Sequence, residues 1–214
     1  MAPEIRSGSK MRIYLISKRI VDVLASTAGL ILLAPLFVFI AIEIKLDSPG
    51  PALYLGKRIG LNGKQFWIYK FRTMHVNREK AGGDTTALND PRITRIGSFL
   101  RRFKLDELPQ LINVLKGEMS LVGPRPELSH YTDRYTMEEK QILSVKPGIT
   151  DLSSVKFSAL DERVGAVDAD VVFERTILPE KNRLRLQYVR ERSFFLDMKI
   201  AADTLRAIAR RAWR

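Results

Sequence analysis

The chain has 214 residues, of which 45% are hydrophobic and 28% are charged, so it can bury a packed core and is not globally disordered. It contains no cysteine and two histidines, which excludes disulfides, a cysteine nucleophile and a cysteine- or histidine-rich metal site. The 36 Lys and Arg exceed the 24 Asp and Glu, and the net charge of +12 predicts an anionic partner: nucleic acid, anionic lipid or a phosphorylated ligand. A charge that only keeps the protein in solution is the alternative.

The first predicted element is an uncharged apolar segment from Val23 to Ile42. A helix of about 20 residues could cross the hydrocarbon core of a membrane. Pro35 interrupts this helix because it removes a hydrogen bond, and basic residues stand on both sides, unlike the usual pattern of a single crossing. From the residues alone, a spanning helix and a re-entrant helix broken at Ala34-Pro35 remain equally open. A cleaved signal peptide ranks behind both, because the segment is too long.

A pair of strands is predicted after this segment, with the turn at Asn62-Gly63. On the second strand, alternation places Lys70 and Arg72 on the same face. There they could contact a phosphate or simply face solvent.

The stretch KLDELPQ, residues 104–110, sets Asp106 and Glu107 side by side after a run of basic residues. The apolar pattern from Leu108 predicts a helix, with Asp106 as its N-cap and Glu107 at its first position, and these structural roles would account for either acid. Alternatively, a helix start lets both acids reach one site, where the neighbouring bases would keep Asp106 ionised. Such a carboxylate could attack phosphorus or bind Mg²⁺ with phosphates, so the pattern favours phosphoryl chemistry.

Two further features carry charge. The motif GPRP holds Arg125 between two prolines, which suits bidentate recognition of a phosphate, although a polar turn with a surface arginine has the same composition. The stretch from Phe194 to the C-terminus predicts a basic amphipathic helix, which suits an anionic membrane surface. The alternative for its first half is a helix that packs on the core.

Together, the apolar segment with Pro35 and the motifs LNGK, YKFRTM, LDELPQLINVLKGEMSLVGPRPE and KPGIT resemble the bacterial sugar transferase family over roughly residues 11–150. These are monotopic phosphoglycosyl transferases, and the resemblance is to their minimal catalytic form. It implies transfer of a phospho-sugar from a UDP-sugar to undecaprenyl phosphate, with Mg²⁺ and release of UMP, as the first membrane step of glycoconjugate biosynthesis. The chain departs from the family after KPGIT, where DLSSVKFSAL replaces a frequent Gly-x-Ala-Gln.

The resemblance also implies residue roles. Asp106 matches the nucleophile, which would form a covalent aspartyl phospho-sugar, and Glu107 matches its partner acid, so both acids are expected at the Mg²⁺ site. Lys70, Arg101 and Arg125 match basic positions that contact phosphate, and Arg72 is added from strand alternation alone. The expected substrate-binding residues are therefore Lys70, Arg72, Arg101 and Arg125.

The expected fold is α+β and helix-dominated, with a small β-hairpin and amphipathic interfacial helices around a catalytic domain. Residues 1–47 would hold a re-entrant membrane helix at about 18–46, because Ala34-Pro35 matches the helix break of the family. Residues 48–214 would form the catalytic domain on the cytoplasmic face of the bacterial inner membrane.

The expected partners are a UDP-sugar, undecaprenyl phosphate and anionic lipid of the inner leaflet, with a homodimer left open. The alternative function is a membrane-tethered, basic nucleic-acid-binding or scaffold protein. That alternative explains the positive charge but leaves the acid pair without a role, and no nucleic-acid-binding motif is visible in the sequence.

Overall fold

The structure is a computed structural model that describes residues 8–76, 90–157 and 169–212. The helices are α1 (Gly8–Leu32), α2 (Ala34–Asp47), α3 (Arg95–Arg102), α4 (Gln110–Lys116), α5 (Ser129–Thr132), α6 (Leu152–Lys156), α7 (Ala169–Val172), α8 (Leu178–Glu191) and α9 (Phe194–Ala212). The strands are β1 (Leu53–Ile59), β2 (Gln65–Phe71), β3 (Ser120–Val122) and β4 (Gly148–Thr150). This architecture confirms a helix-dominated α+β fold.

The apolar segment forms a broken helix. The chain bends by 61° between α1 and α2, and Leu33 leaves the helical conformation there (φ −92°, ψ 1°). Pro35 lies in the first turn of α2, where its missing N–H cannot bond the carbonyl of Ile31. The break thus falls one residue before the predicted Ala34-Pro35. By length and composition, none of the individual helices in the described ranges could cross a membrane, whereas the bent pair together could.

Helix α1 packs against α4, the helix that follows the acid pair. Arg19 donates from its guanidinium to the carbonyls of Val114 (2.6 Å) and Leu115 (2.9 Å), which satisfies orphan carbonyls at the end of α4. Gly29 allows the two helices to approach closely, since a Cβ at this position would lie 3.0 Å from a methyl group of Leu111. The apolar N-terminal segment is therefore docked directly onto the helix that follows the predicted site.

The predicted hairpin is present, with β1 and β2 antiparallel and Ile59 opposite Gln65 at the turn. Its turn needs positive φ at Asn62 (54°) and Gly63 (75°), which is why this dipeptide marks the hairpin in the sequence. Ile68 is buried on the inner face and packs in one cluster with Val114 of α4. The hairpin thereby lies beside α4 and brings the end of β2 close to the acid pair.

The motif KPGIT leads into strand β4, which pairs in parallel with β3. Gly123 and Gly148 approach so closely that a Cβ on Gly148 would lie 2.1 Å from the nitrogen of Gly123. No larger residue fits there, because the obstructing atoms are backbone. The parallel pair holds the GPRP loop in place just after β3.

Helix α9 forms where the amphipathic pattern predicts a C-terminal helix. Ile200 and Asp197 are buried against the body, whereas Phe195 is 81% exposed and Leu205 is 68% exposed. The helix therefore presents a row of apolar side chains outward in addition to its packed face. The predicted terminal Trp213 and Arg214 lie outside the described residues.

Candidate active site

The acid pair lies in a turn of its own. Lys104 has a left-handed backbone (φ 58°, ψ 21°), which separates α3 from a 3₁₀ turn at Leu105–Glu107. Helix α4 begins later, at Gln110, with Pro109 in the cap position and no side-chain cap. The prediction that Asp106 is the N-cap of this helix is therefore wrong, because the proline restarts the helix three residues further on. A purely structural capping role no longer explains Asp106.

Glu107 is clamped by two cations. Arg125 donates to both of its oxygens, from Nη1 to Oε2 at 2.7 Å and from Nη2 to Oε1 at 2.5 Å. Lys70 Nζ donates to Oε1 at 3.1 Å. These positive charges hold the pKa of Glu107 well below its usual range, although burial acts in the opposite direction. Glu107 is thus ionised, and it ties β2 and the GPRP loop to the acid turn.

Asp106 has the opposite environment. It is 7% exposed, and its Oδ1 accepts no hydrogen bond from any residue that the structure describes. Burial and the charge of Glu107 raise the pKa of Asp106, and they outweigh the nearby Lys70, Lys104 and Arg101. The bases therefore act on Asp106 in the predicted direction, but burial and the charge of Glu107 have the larger effect on its pKa. A buried carboxylate oxygen without a partner is costly and marks a place where a ligand or a reaction would satisfy it.

Lys70, Arg101 and Arg125 all lie around the acid turn. Burial lowers the pKa of Lys70, while the charge of Glu107 opposes that shift. Arg101 on α3 donates from Nε to the hydroxyl of Thr73 at 2.9 Å, and its charge acts on Asp106 to lower that group's pKa. The structure therefore brings together three of the four predicted basic residues.

Arg72 lies elsewhere. It follows the end of β2, is 2% exposed, and donates to the carbonyls of Pro49 (2.6 Å), Ser48 (2.7 Å) and Ile44 (3.3 Å). Its guanidinium thus caps the C-terminal end of α2. The prediction of a phosphate contact by Arg72 is wrong, because strand alternation no longer applies once the chain has left the strand.

The GPRP loop is not a surface turn. Besides Glu107, the Arg125 guanidinium donates to the carbonyl of Ile149 at 2.5 Å, and the Arg125 backbone N–H donates to Asp151 Oδ2 at 3.1 Å. The pKa of Arg125 is raised, because Glu107 and Asp151 outweigh the desolvation. The Arg125 side chain is therefore committed to one orientation before any ligand arrives.

Sequence reasoning missed two residues that support this geometry. Asn113 of α4 accepts from the backbone N–H of Tyr69 (3.0 Å) and donates to the carbonyl of Trp67 (2.7 Å), which fixes β2 against α4. Its position inside an apolar helix pattern is the signal that could have found it. Asp151 caps α6 by accepting from the backbone N–H of Ser154 at 2.6 Å, and the stretch Asp-Leu-Ser-Ser carries that cap signature.

The carboxylates set limits on a metal site. No group of three His, Asp or Glu side chains that could hold a metal ion occurs within residues 8–76, 90–157 and 169–212. Both oxygens of Glu107 already accept from basic side chains, whereas Asp106 Oδ1 is buried and has no hydrogen-bond partner among the described residues. Mg²⁺ often binds through one or two carboxylates together with phosphates and waters. The residues present fit Mg²⁺ that is shared with a phosphorylated ligand.

Comparison with known proteins places this site in a family context. A family profile described as bacterial sugar transferase matches residues 13–211. The chain is 37% identical over 203 residues to the UDP-N-acetylgalactosamine-undecaprenyl-phosphate N-acetylgalactosaminephosphotransferase of Aeromonas hydrophila, covering 92% of this chain and 44% of that protein. It is 39% identical over 191 residues to the UDP-glucose:undecaprenyl-phosphate glucose-1-phosphate transferase of Escherichia coli K12, covering 88% and 39%.

A third relative, the exopolysaccharide production protein PSS of Rhizobium leguminosarum bv. phaseoli, is 39% identical over 202 residues, which are 89% of this chain and 94% of that protein. The chain thus spans less than half of the first two relatives and nearly all of the third. The profile match extends over almost the whole chain, including every residue of the acid turn and its basic partners. The chain belongs to the bacterial sugar transferase family.

Proposed function

We propose that the chain transfers a phospho-sugar from a UDP-sugar to undecaprenyl phosphate, with Asp106 as the nucleophile, and so begins a glycoconjugate or exopolysaccharide. The observation that carries this proposal is the buried Oδ1 of Asp106, which has no hydrogen-bond partner in the described part of the chain and adjoins the clamped Glu107. The names of the relatives from Aeromonas hydrophila and Escherichia coli supply the substrate classes.

In the first step, an oxygen of ionised Asp106 attacks the β-phosphorus of the UDP-sugar. The bond between that phosphorus and the bridging oxygen of the diphosphate breaks, and UMP leaves with the electron pair. The product is an aspartyl phospho-sugar. Burial favours this step, because a desolvated carboxylate loses little solvation when it becomes a mixed anhydride.

In the second step, a phosphate oxygen of undecaprenyl phosphate attacks the same phosphorus. The bond to Asp106 breaks, the carboxylate is restored, and the sugar becomes linked to the lipid through a diphosphate. Both steps develop negative charge around one phosphorus, so fixed positive groups aimed at that position accelerate both.

The basic residues have distinct roles in this scheme. Arg125 and Lys70 hold Glu107 and line the acid turn, and Arg101 adds positive charge next to Asp106. Asp106, with Glu107 if its clamp loosens, would hold Mg²⁺ together with the diphosphate. The metal would neutralise charge on the phosphates and on the departing UMP.

We further propose that the broken helix is re-entrant and that the catalytic body faces the cytoplasm. Near the start of the pair, Asp22 accepts from the backbone N–H of Leu121 at 3.0 Å, and Arg19 caps α4. Near its end, Asp47 accepts from the backbone N–H of Ile96 at 3.1 Å, and Arg72 caps α2. Both ends thus contact one catalytic body, whereas a straight crossing would separate them by the membrane.

The nucleic-acid-binding alternative gains no support. Many of the basic side chains that motivated it are engaged internally: Arg125 and Lys70 with Glu107, Arg72 and Arg19 with helix carbonyls. Because these side chains stabilise the site and the fold, fewer positive charges remain to bind the phosphate backbone of a nucleic acid.

The decisive experiment uses a UDP-sugar labelled in the sugar, with Mg²⁺ and no lipid acceptor. We expect one equivalent of UMP and a covalently labelled protein, and subsequent undecaprenyl phosphate should remove the label. Asp106→Asn should abolish labelling because the amide cannot attack phosphorus. Labelling that persists in this variant would exclude Asp106 as the nucleophile, and a panel of UDP-sugars would identify the donor.

A further inference from the structure

One buried charge network behind the GPRP loop is not used by the mechanism above. Arg185 of α8 has a fully buried side chain. Its Nη2 donates to Glu127 Oε1 at 2.5 Å, and its Nε lies 3.7 Å from Asp151 Oδ2. Glu127 follows Arg125 by two residues, and Asp151 accepts from the backbone N–H of Arg125. A single guanidinium therefore hydrogen-bonds Glu127 and forms a longer ion pair with Asp151.

We propose that Arg185 and Asp151, here termed the Arg185–Asp151 brace, are positioning residues that hold Arg125 in the orientation that clamps Glu107. The inference rests on the proposed function, since it assigns this pair to the geometry of that active site. Neither residue is expected to touch substrate.

The contacts of Asp151 hold the GPRP loop against two neighbouring helices. Asp151 joins the backbone of Arg125 (3.1 Å), the backbone of Ser154 (2.6 Å) and the hydroxyl of Ser153 (2.8 Å) through one carboxylate. It thus links the GPRP loop to the start of α6 and, through Arg185, to α8. The prolines at 124 and 126 restrict the neighbouring backbone, and the hydrogen bond from the Arg125 N–H to Asp151 anchors the backbone from which the Arg125 side chain reaches Glu107.

Asp151 also acts on Arg125 through its charge. Asp151 is fully buried, and a buried carboxylate is tolerated only when it is paired or hydrogen-bonded. Arg185 and the serine donors lower its pKa despite the burial, so it carries a negative charge behind the site. That charge favours the cationic Arg125, whose pKa it helps to raise. The N-cap of α6 alone would need neither a buried Arg185 nor a contact with Arg125.

One substitution can distinguish the N-cap role of Asp151 in α6 from its role in positioning Arg125. Asp151→Ser keeps an N-cap, because serine caps helices about as well as aspartate, but it cannot reach Ser154, Arg125 and Arg185 together. We expect kcat/KM for UMP release to fall by roughly tenfold to a hundredfold, as for a displaced catalytic group. Glu180→Gln is the matched control on α8, since it removes only exposed ion pairs with Lys156 and Arg183 and should leave kcat/KM unchanged.

A double-mutant cycle with Arg125→Lys tests whether Asp151 acts through Arg125. If it does, the double variant should lose about as much kcat/KM as Arg125→Lys alone, whereas independent losses would multiply. Multiplying losses, or wild-type kcat/KM in Asp151→Ser, would overturn the brace. If Asp151→Ser does not fold, the same double-mutant cycle can be measured with Asp151→Asn, because asparagine has nearly the same side-chain shape as aspartate. Absence of UMP release by the wild-type chain would instead contradict the proposed function.

Discussion

At the scale of single residues, two adjacent acids have opposite energetic roles. Glu107 is satisfied by Arg125 and Lys70, whereas Asp106 is buried with an oxygen that accepts no hydrogen bond from any described residue. The raised pKa of Asp106 means that the folded state binds a proton more tightly than the unfolded state. Ionisation of Asp106 therefore lowers stability as pH rises through the interval between its usual and its raised pKa.

We accordingly predict opposite stability effects for two similar substitutions. Asp106→Asn should keep or raise the free energy of unfolding at neutral pH, by about 1 kcal/mol, because it removes a poorly solvated charge. Glu107→Gln should lower it by about 3 to 5 kcal/mol, because Arg125 and Lys70 lose a buried partner. Thermal and denaturant unfolding in one detergent would measure both, and equal losses in the two variants would contradict this assignment.

The pH dependence of labelling provides a second prediction. Covalent labelling requires ionised Asp106, so its rate should rise with pH through the raised pKa and level off above it. Arg101→Gln should move this acid limb to higher pH, since the charge of Arg101 lowers the pKa of Asp106. Arg95→Gln, an exposed change on the same helix, is the control. Quenched-flow labelling between pH 5 and 9 would measure the profile, and an unmoved limb in Arg101→Gln would refute the prediction.

At the scale of elements, the helix ends determine which basic residues reach the site. Arg72 and Arg19 occupy the last carbonyls of α2 and α4, and Asp151 caps α6. These interactions orient the elements from which Lys70, Asp106 and Arg125 project. The basic residues of this chain thus divide into those that close helices and those that surround Asp106.

This division predicts different effects at Arg72 and Arg125. Arg72→Lys should lower the free energy of unfolding by about 2 to 3 kcal/mol, because one ammonium cannot serve three carbonyls in the geometry of the guanidinium fork. The kcat/KM of the folded fraction should stay near that of the wild type. Arg206→Lys, in an exposed pair with Asp203, should change stability by less than about 0.5 kcal/mol. If Arg72→Lys lowered kcat/KM without lowering the free energy of unfolding, Arg72 would have to be assigned to substrate binding rather than to helix capping.

At the scale of the whole molecule, the broken helix is part of the catalytic body rather than a detachable anchor. Lys18 and Tyr14 of α1 both bind Asp197 of α9, at 2.7 and 2.9 Å, and Tyr188 of α8 donates to the same carboxylate at 2.8 Å. The outward side chains near the break, including Ile31, Leu32, Val38 and Phe39, are more than half exposed. The polar contacts hold the ends of the pair, and the apolar tip stays exposed, as the proposed re-entrant arrangement requires.

Topology can be tested directly because the chain has no cysteine. We predict that Lys10→Cys and Lys64→Cys, both exposed, lie on the same side of the membrane. In intact cells, an impermeant maleimide should label neither until the membrane is permeabilised. A cysteine introduced in a periplasmic loop of another protein would serve as the positive control. Labelling of only one of the two positions before permeabilisation would contradict the re-entrant arrangement.

Local sequence signals predicted the local features of this protein. Pro35 marks the helix break, because a missing N–H acts in any context, and Asn62-Gly63 marks the hairpin, because its turn needs positive φ. The motifs around Asp106 and Arg125 identified the family, whereas the pairing of Arg125 with Glu107 was not predicted. Such features depend on a few neighbouring residues, so one sequence is enough to read them.

Long-range contacts decided the rest. Whether an arginine binds a phosphate, a carboxylate or a helix carbonyl depends on what the fold places beside it, so neither the capping role of Arg72 nor the pairing of Arg125 with Glu107 was predicted. The left-handed Lys104 and the late start of α4 removed Asp106 from its expected cap, and burial raised its pKa against the surrounding bases. Desolvation is a property of the packed interior, and therefore only the tertiary structure could determine which of the two acids carries the unsatisfied oxygen.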